Sequence, residues 1–234
     1  SGRLGSYWIK NISKKFNIFI FQNKNLIKTK HRKIKFNLLK KRKLQLFCQK
    51  NTIGIIINCS GITNLNLCEK MKKKAYKINV QIPLILSEVS KKNKIKYVHI
   101  STDHLFDGKK KKYSERSRPK PLNYYAKTKM LAEKNIQKTI KNFIIIRTNF
   151  FLNSNKKDTF LEKSLKLLRN GKKLKVWDNV NFSPLHVDIL IKVANILIKK
   201  DFKGIINVSS NQVLSKYELI SMVAKHLKFD TKNV

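Results

Sequence analysis

The sequence predicts an α/β protein built on a doubly wound parallel sheet, followed by a smaller C-terminal region. Short apolar runs alternate with longer stretches of helical period along the chain. The runs Gly54-Ile-Ile-Ile-Asn58 and Phe143-Ile-Ile-Ile-Arg147 are continuous rather than alternating, as expected of parallel strands covered by helices on both sides. Just past a third run, residues 101–108 gather polar side chains, and open α/β sheets bind ligands at the carboxyl ends of their strands.

Taken in order, the chain opens on Ser1-Gly-Arg-Leu-Gly5 and enters a helical pattern over 4–14 with no strand before it. A glycine turn opening a helix ordinarily receives its chain from a buried strand. The expectation is therefore a chain that begins inside a βα unit, lacks the first strand and leaves a gap in the sheet. Strands are expected over 17–21, 33–36, 54–58, 96–101, 142–148, 173–177 and 204–209. Helices are expected over 4–14, 38–50, 72–92, 122–138, 160–169, 186–199 and 215–227. Leu38, Leu39, Lys43, Leu46 and Phe47 trace one apolar stripe, and Ser215 with Glu218 forms a capping-box pattern.

Composition bounds the function. In 234 residues, 53 Lys plus Arg stand against 13 Asp plus Glu, a net charge of +40, yet 41% are hydrophobic, which excludes a disordered basic tail. Arginine occurs only at 3, 32, 42, 116, 118, 147 and 169, so nearly all the excess is lysine. Arginine is the bidentate reader of phosphates and bases, whereas lysine is a strongly hydrated point charge. The charge thus reads as a solvated surface, and specific nucleic-acid binding is not expected. Cys48, Cys59 and Cys68 form no CxxC pair, and no cluster has metal-ligand spacing, so no metal site is expected. No apolar run approaches the ~18 residues that span a bilayer, and no signal-peptide pattern opens the chain. The expectation is a cytoplasmic protein without a membrane partner.

Two patterns bear on chemistry, and each admits a bland reading. Gly2 and Gly5 are either ordinary helix-start residues or part of a pyrophosphate-binding turn, where a helix N-terminus supplies N–H donors. Tyr125 and Lys129 lie four apart, on one helical face. They are either a half-buried aromatic and a surface charge, or a phenol whose ionisation a neighbouring cation supports. His99, inside the strand 96–101, reads as a satisfied core residue.

The segments Gly2-Arg-Leu-Gly5, Asn58-Cys-Ser-Gly61, Ser101-Thr-Asp-His-Leu-Phe-Asp-Gly108, Pro121-Leu-Asn-Tyr-Tyr-Ala-Lys-Thr-Lys129 and Phe182-Ser-Pro-Leu-His-Val-Asp188 together resemble the extended short-chain dehydrogenases/reductases. Within that family they are most similar to the dTDP-4-dehydrorhamnose reductase-like, sugar-nucleotide-binding group. The resemblance implies a Rossmann-like dinucleotide-binding domain over 1–150 and a substrate-binding region over 151–234. It makes Thr102, Tyr125 and Lys129 the catalytic residues: Tyr125 as proton donor, Lys129 as its tuning charge and ribose contact, and Thr102 orienting the carbonyl. Gly2, Arg3, Leu4, Gly5, Asn58, Cys59, Ser60 and Gly61, with Tyr125 and Lys129, would hold the cofactor. Thr102, Asp103, His104 and Phe150 would meet the sugar, although a tyrosine is usual at position 104.

The activity so implied is NAD(P)H-dependent reduction of a nucleotide-linked 4-keto sugar, with a nucleotide-sugar partner and room for a homodimer. Residues 17–21 are followed by Gln22-Asn-Lys-Asn25, without a carboxylate, and Lys24 or Arg3 would favour the 2′-phosphate of NADPH over NADH. The alternatives are a sugar-nucleotide epimerase sharing the Tyr and Lys, a non-catalytic regulatory subunit of the methionine adenosyltransferase type, and a polyanion-binding protein.

Overall fold

A computed structural model describes residues 2–11, 16–21, 29–151 and 160–230. The chain clusters into two compact units, Ser1–Thr148 with Ile191–Asn207, and Asn149–Leu190 with Val208–Val234.

The first unit begins with α1 (Arg3–Asn11), β1 (Phe19–Phe21), β2 (Arg32–Ile34), α2 (Lys41–Lys50) and β3 (Ile55–Asn58). Next come α3 (Leu65–Lys70), α4 (Lys72–Tyr76), a π-helical turn (Lys77–Gln81), α5 (Ile82–Lys92) and β4 (Lys96–Ile100). A 3₁₀ turn (Asp103–Leu105), α6 (Tyr124–Thr139) and β5 (Phe143–Thr148) complete the run before the chain enters the second unit. There lie β6 (Phe150–Phe151), α7 (Phe160–Arg169), β7 (Asn181–Phe182) and β8 (Leu185–His186). After α8 (Val187–Lys199) comes β9 (Gly204–Val208), all but its last residue in the first unit, and β10 (Leu214–Ser215) and α9 (Lys216–His226) belong to the second.

The expected parallel α/β sheet is present: the main sheet runs β3-β4-β5-β9, with β3, β4 and β5 mutually parallel. Pleating sends Tyr97, His99, Phe143, Ile145 and Arg147 to one face and Val98, Ile100, Ile144 and Ile146 to the other. On the first face, α2, α5 and α6 deliver Leu44, Cys48, Leu86, Val89, Ile136 and Ile140 onto Tyr97, Phe143 and Ile145. The opposite face is closed as well, since Val98, Ile144 and Ile146 are fully buried. β1 and β2 pair in parallel as a separate ladder, and Ile55 at the start of β3 is 38% exposed, as on a sheet edge.

Two expectations need correction, and one helix was not anticipated. Residues 173–177 join no ladder among the described residues: the lysines at 173 and 175 face solvent, Leu174 packs near Leu168 and Ile220, and the Trp177 carbonyl takes the Tyr217 N–H at 3.2 Å. The single helix expected over 72–92 is divided by the π turn. Pro83, one turn on, has no N–H for the Asn79 carbonyl, and a widened turn accommodates its ring. The short helix α3 had no periodic signal; it forms because the Asn64 side chain caps it, accepting from the Leu67 N–H at 2.8 Å. The capping box at Ser215 and Glu218 forms as the spacing predicts.

A buried ion pair pins α6 to the sheet. Arg147 Nη2 donates to Glu133 Oε2 at 2.7 Å, its Nε donates to both carboxylate oxygens at 3.1 Å, and its Nη1 reaches the Glu115 carbonyl at 3.2 Å. Removing one partner leaves a buried charge uncompensated. Arg147→Met should therefore destabilise the protein by about 3–5 kcal/mol. In urea the midpoint should fall at unchanged slope; a loss under ~1 kcal/mol would mean that the pair contributes little.

Candidate active site

The site is assembled where β3 and β4 end and α6 begins. Asn123 starts α6 by accepting the Ala126 N–H at 2.9 Å, and Glu69 takes the Tyr124 N–H at 2.7 Å. These caps fix the helix start, so Tyr125 and Lys129 face the sheet together. Tyr125 is 8% exposed and packs with Cys68 and Ala75, while Lys129 is 4% exposed. The bland reading of Lys129 as a surface charge therefore fails.

Lys129 Nζ donates to the Ile100 carbonyl at 2.6 Å and lies 3.0 Å from His99 Nε2. Burial pulls its pKa down to about 8, while Glu133 one turn away pushes it up. The phenol of Tyr125 moves oppositely: burial raises it to about 12, a hydrogen bond with Thr102 lowers it, and Asp103 raises it. In the structure the amine is turned to His99 and Ile100, and Tyr125 holds its proton.

Thr102 lies two residues past the end of β4. Its hydroxyl accepts the His104 N–H at 3.2 Å, donates to Asp103 Oδ1 at 3.3 Å and caps the 3₁₀ turn. The His104 ring meets Tyr125 edge to face at 5.9 Å. Beyond it, Gly108 (φ +73°) makes the turn that lets Asp107 accept from the Tyr113 hydroxyl, and Phe106 stacks on Tyr113 at 4.4 Å.

Asn58, paired in register with His99, sends its amide inward: Nδ2 donates to the Tyr97 hydroxyl at 3.1 Å and lies 3.2 Å from His99 Nδ1. Its Oδ1 accepts the Ser60 N–H at 3.0 Å. Cys59 is partly exposed, and its thiol is raised to about 12 by burial. The structure thus brings these residues into two groups: Asn58 with His99 and Lys129, and Thr102 with Tyr125, Asp103 and His104. Phe150 falls in β6 of the second unit, where its backbone pairs with Leu185. Lys24 lies outside the described residues.

Two contributors escaped the sequence reading. His99, taken as a core residue, is fully buried but bonded on both ring nitrogens within the site, and burial together with Lys129 holds it well below the ordinary histidine range. Asn79, in the π turn, accepts the Ile62 N–H at 2.8 Å and donates to the Ile62 carbonyl at 3.0 Å and to Thr128 Oγ1 at 3.1 Å. It ties the loop after β3 to α6. A fully buried amide inside a helix was the usable signal, but burial is not visible in sequence.

The head of α1 fits a dinucleotide phosphate. A β-carbon at Gly2 would stand 3.8 Å from the Cys59 carbonyl oxygen, and one at Gly5 3.8 Å from Cys59 Cβ, both ordinary contacts. Internal packing therefore does not demand these glycines. A helix's first turn has N–H groups without intrahelical acceptors, and this one carries no acidic side chain that would repel an anion.

Lys129 carries a pH signature of stability. Its folded pKa near 8 lies below the ordinary lysine value of about 10.4, so above pH ~8 the unfolded chain holds a proton that the native one has lost. Stability from this group is therefore unchanged below pH ~8 and rises between pH ~8 and ~10. Denaturation of wild type and Lys129→Met across that range should show wild type gaining on the variant; parallel curves would mean an ordinary lysine.

The profile of the family described as RmlD substrate binding domain matches residues 2–234. The chain is 32% identical over 178 residues to the spore coat polysaccharide biosynthesis protein SpsK of Bacillus subtilis, covering 76% of this chain and 62% of the relative. It thus spans less than two-thirds of that relative's length. Among solved structures, a hypothetical dTDP-4-dehydrorhamnose reductase from Sulfolobus tokodaii superposes with a TM-score of 0.87 at 29% identity, covering 97% of this chain and 80% of that one. The dTDP-4-dehydrorhamnose reductase of Bacillus anthracis, solved with NADP, gives a TM-score of 0.84 at 22% identity, covering 97% and 78%. The parallel sheet, its Rossmann-like likeness to these structures and the profile spanning nearly every residue lead to one assignment: the chain belongs to the RmlD substrate binding domain family.

Proposed function

We propose that the protein reduces a nucleotide-linked 4-keto sugar with NADPH, NADH being the weaker donor. The observation that carries this reading is a buried phenol, hydrogen-bonded to Thr102, with a buried amine one helical turn away. Residues 1–150 serve as the dinucleotide-binding region and 151–234 as the substrate-binding region. Gly2, Arg3, Leu4 and Gly5 receive the pyrophosphate, and residues 58–61 line the cofactor beside Tyr125 and Lys129. The solved relative bound to NADP supports this choice.

When bound, the cofactor supplies hydride to C4 of the sugar. Tyr125 gives its proton to the C4 oxygen, and Thr102 orients that oxygen. Lys129, in its ammonium form, supports the phenolate that remains. Asp103, His104 and Phe150 are assigned to the sugar.

Tyr125→Phe should lower kcat at least ~10²-fold with cofactor affinity nearly unchanged, the usual scale for losing a positioned acid. Lys129→Met should impair both kcat and NADPH binding. Stopped assays with NADPH and a dTDP-4-keto sugar, alongside NADPH binding by fluorescence, separate the two effects. Near wild-type turnover by Tyr125→Phe would end the assignment. Sugar interconversion without consumption of added NADPH would instead identify an epimerase, and NADPH binding without turnover a regulatory subunit.

A further inference from the structure

The Asn58 amide sets a direction of hydrogen bonding across the sheet. Its Oδ1 takes the Ser60 backbone N–H at 3.0 Å and the Ser60 hydroxyl at 2.6 Å. A backbone N–H only donates, so the oxygen faces Ser60 and the NH₂ end faces His99 Nδ1 at 3.2 Å. Nδ1 must then accept, and a neutral imidazole that accepts at Nδ1 carries its proton on Nε2.

That N–H points at Lys129 Nζ, 3.0 Å away. It finds an acceptor there only in the lone pair of a neutral amine, which itself donates to the Ile100 carbonyl at 2.6 Å. An ammonium would require Nε2 to accept, moving the ring proton to Nδ1 and setting it against the Asn58 NH₂. One donor–donor collision then arises among groups that are almost wholly buried.

We propose that His99 is a positioning residue: Asn58 favours its Nε2–H tautomer, which cannot accept from the Lys129 ammonium and so favours release of that proton in the free protein. The remaining groups around Lys129 are consistent with this. Glu133, one turn on along α6, favours the ammonium but is engaged by Arg147 of β5. Tyr125, one turn back, is a phenol, and Cys59, beyond β3, is a protonated thiol. The catalytic consequence rests on the reductase reading: activity would fall as pH rises through the Lys129 midpoint, and Asn58 and His99 would set where that fall begins.

The test needs no turnover. In ¹⁵N-histidine-labelled protein at pH ~9.5, above the Lys129 midpoint, the ring assigned by its loss in His99→Gln should show an unprotonated Nδ1 and a protonated Nε2. In ¹³Cε-lysine-labelled protein, the resonance lost in Lys129→Met should titrate near pH 8. Asn58→Leu frees the tautomer and should move that midpoint up towards the ordinary lysine value of about 10.4. An Nδ1–H tautomer or an imidazolium in wild type overturns the proposal, as does a midpoint unmoved in Asn58→Leu. If that variant fails to fold, the wild-type tautomer decides. A protein with the expected tautomer and no reductase activity would refute the reductase reading and leave this one intact.

Discussion

Burying an amine is expensive, and the first unit is organised around the burial of one. Lys129 sits under the end of β4 with neutral neighbours, a carbonyl and an imidazole, rather than a carboxylate in contact. An ammonium there would lose its hydration with little return, which is why its proton is held loosely. The contrast with Lys96 is instructive: that buried lysine reaches Asp201 and Asn142, so its charge is matched.

Holding the amine in place requires α6 to be fixed in rotation and along its axis. The Asn123 cap fixes where the helix starts, Asn79 grips Thr128 on one side, and the Arg147–Glu133 pair anchors the next turn to β5. Each tie uses a polar group on a face otherwise packed by Ile136, Ile140 and Ile145. Apolar packing alone would tolerate small sliding of α6, whereas hydrogen bonds with set lengths and directions do not. The π turn belongs to the same scheme, because it carries Asn79 inward to both the loop after β3 and α6.

The large positive charge turns out to be a poor guide to chemistry. Most lysines ornament helices and loops such as 70–74 and 109–112, which face solvent. The informative lysine is distinguished by its surroundings, and the same is true of the histidines: His99 is enclosed and bonded on both nitrogens, whereas His186 is partly exposed beside Asp188.

The sequence by itself determined the parallel α/β class, because runs such as 143–146 are apolar on both faces and only a sheet covered twice can bury them. It also determined that Tyr125 and Lys129 share a face, since a separation of four residues does so on any α-helix. Tertiary structure alone decided what the amine touches, because Asn58, His99 and Lys129 come from two strands and a helix and meet through sheet register. It likewise decided that 173–177 joins no ladder among the described residues, since a strand needs a partner as well as a pattern. The division follows from range: periodicity and capping act within a few residues and can be read along the chain. Burial, register and the direction of a buried hydrogen bond are set by residues tens of positions apart and exist only once the chain has folded.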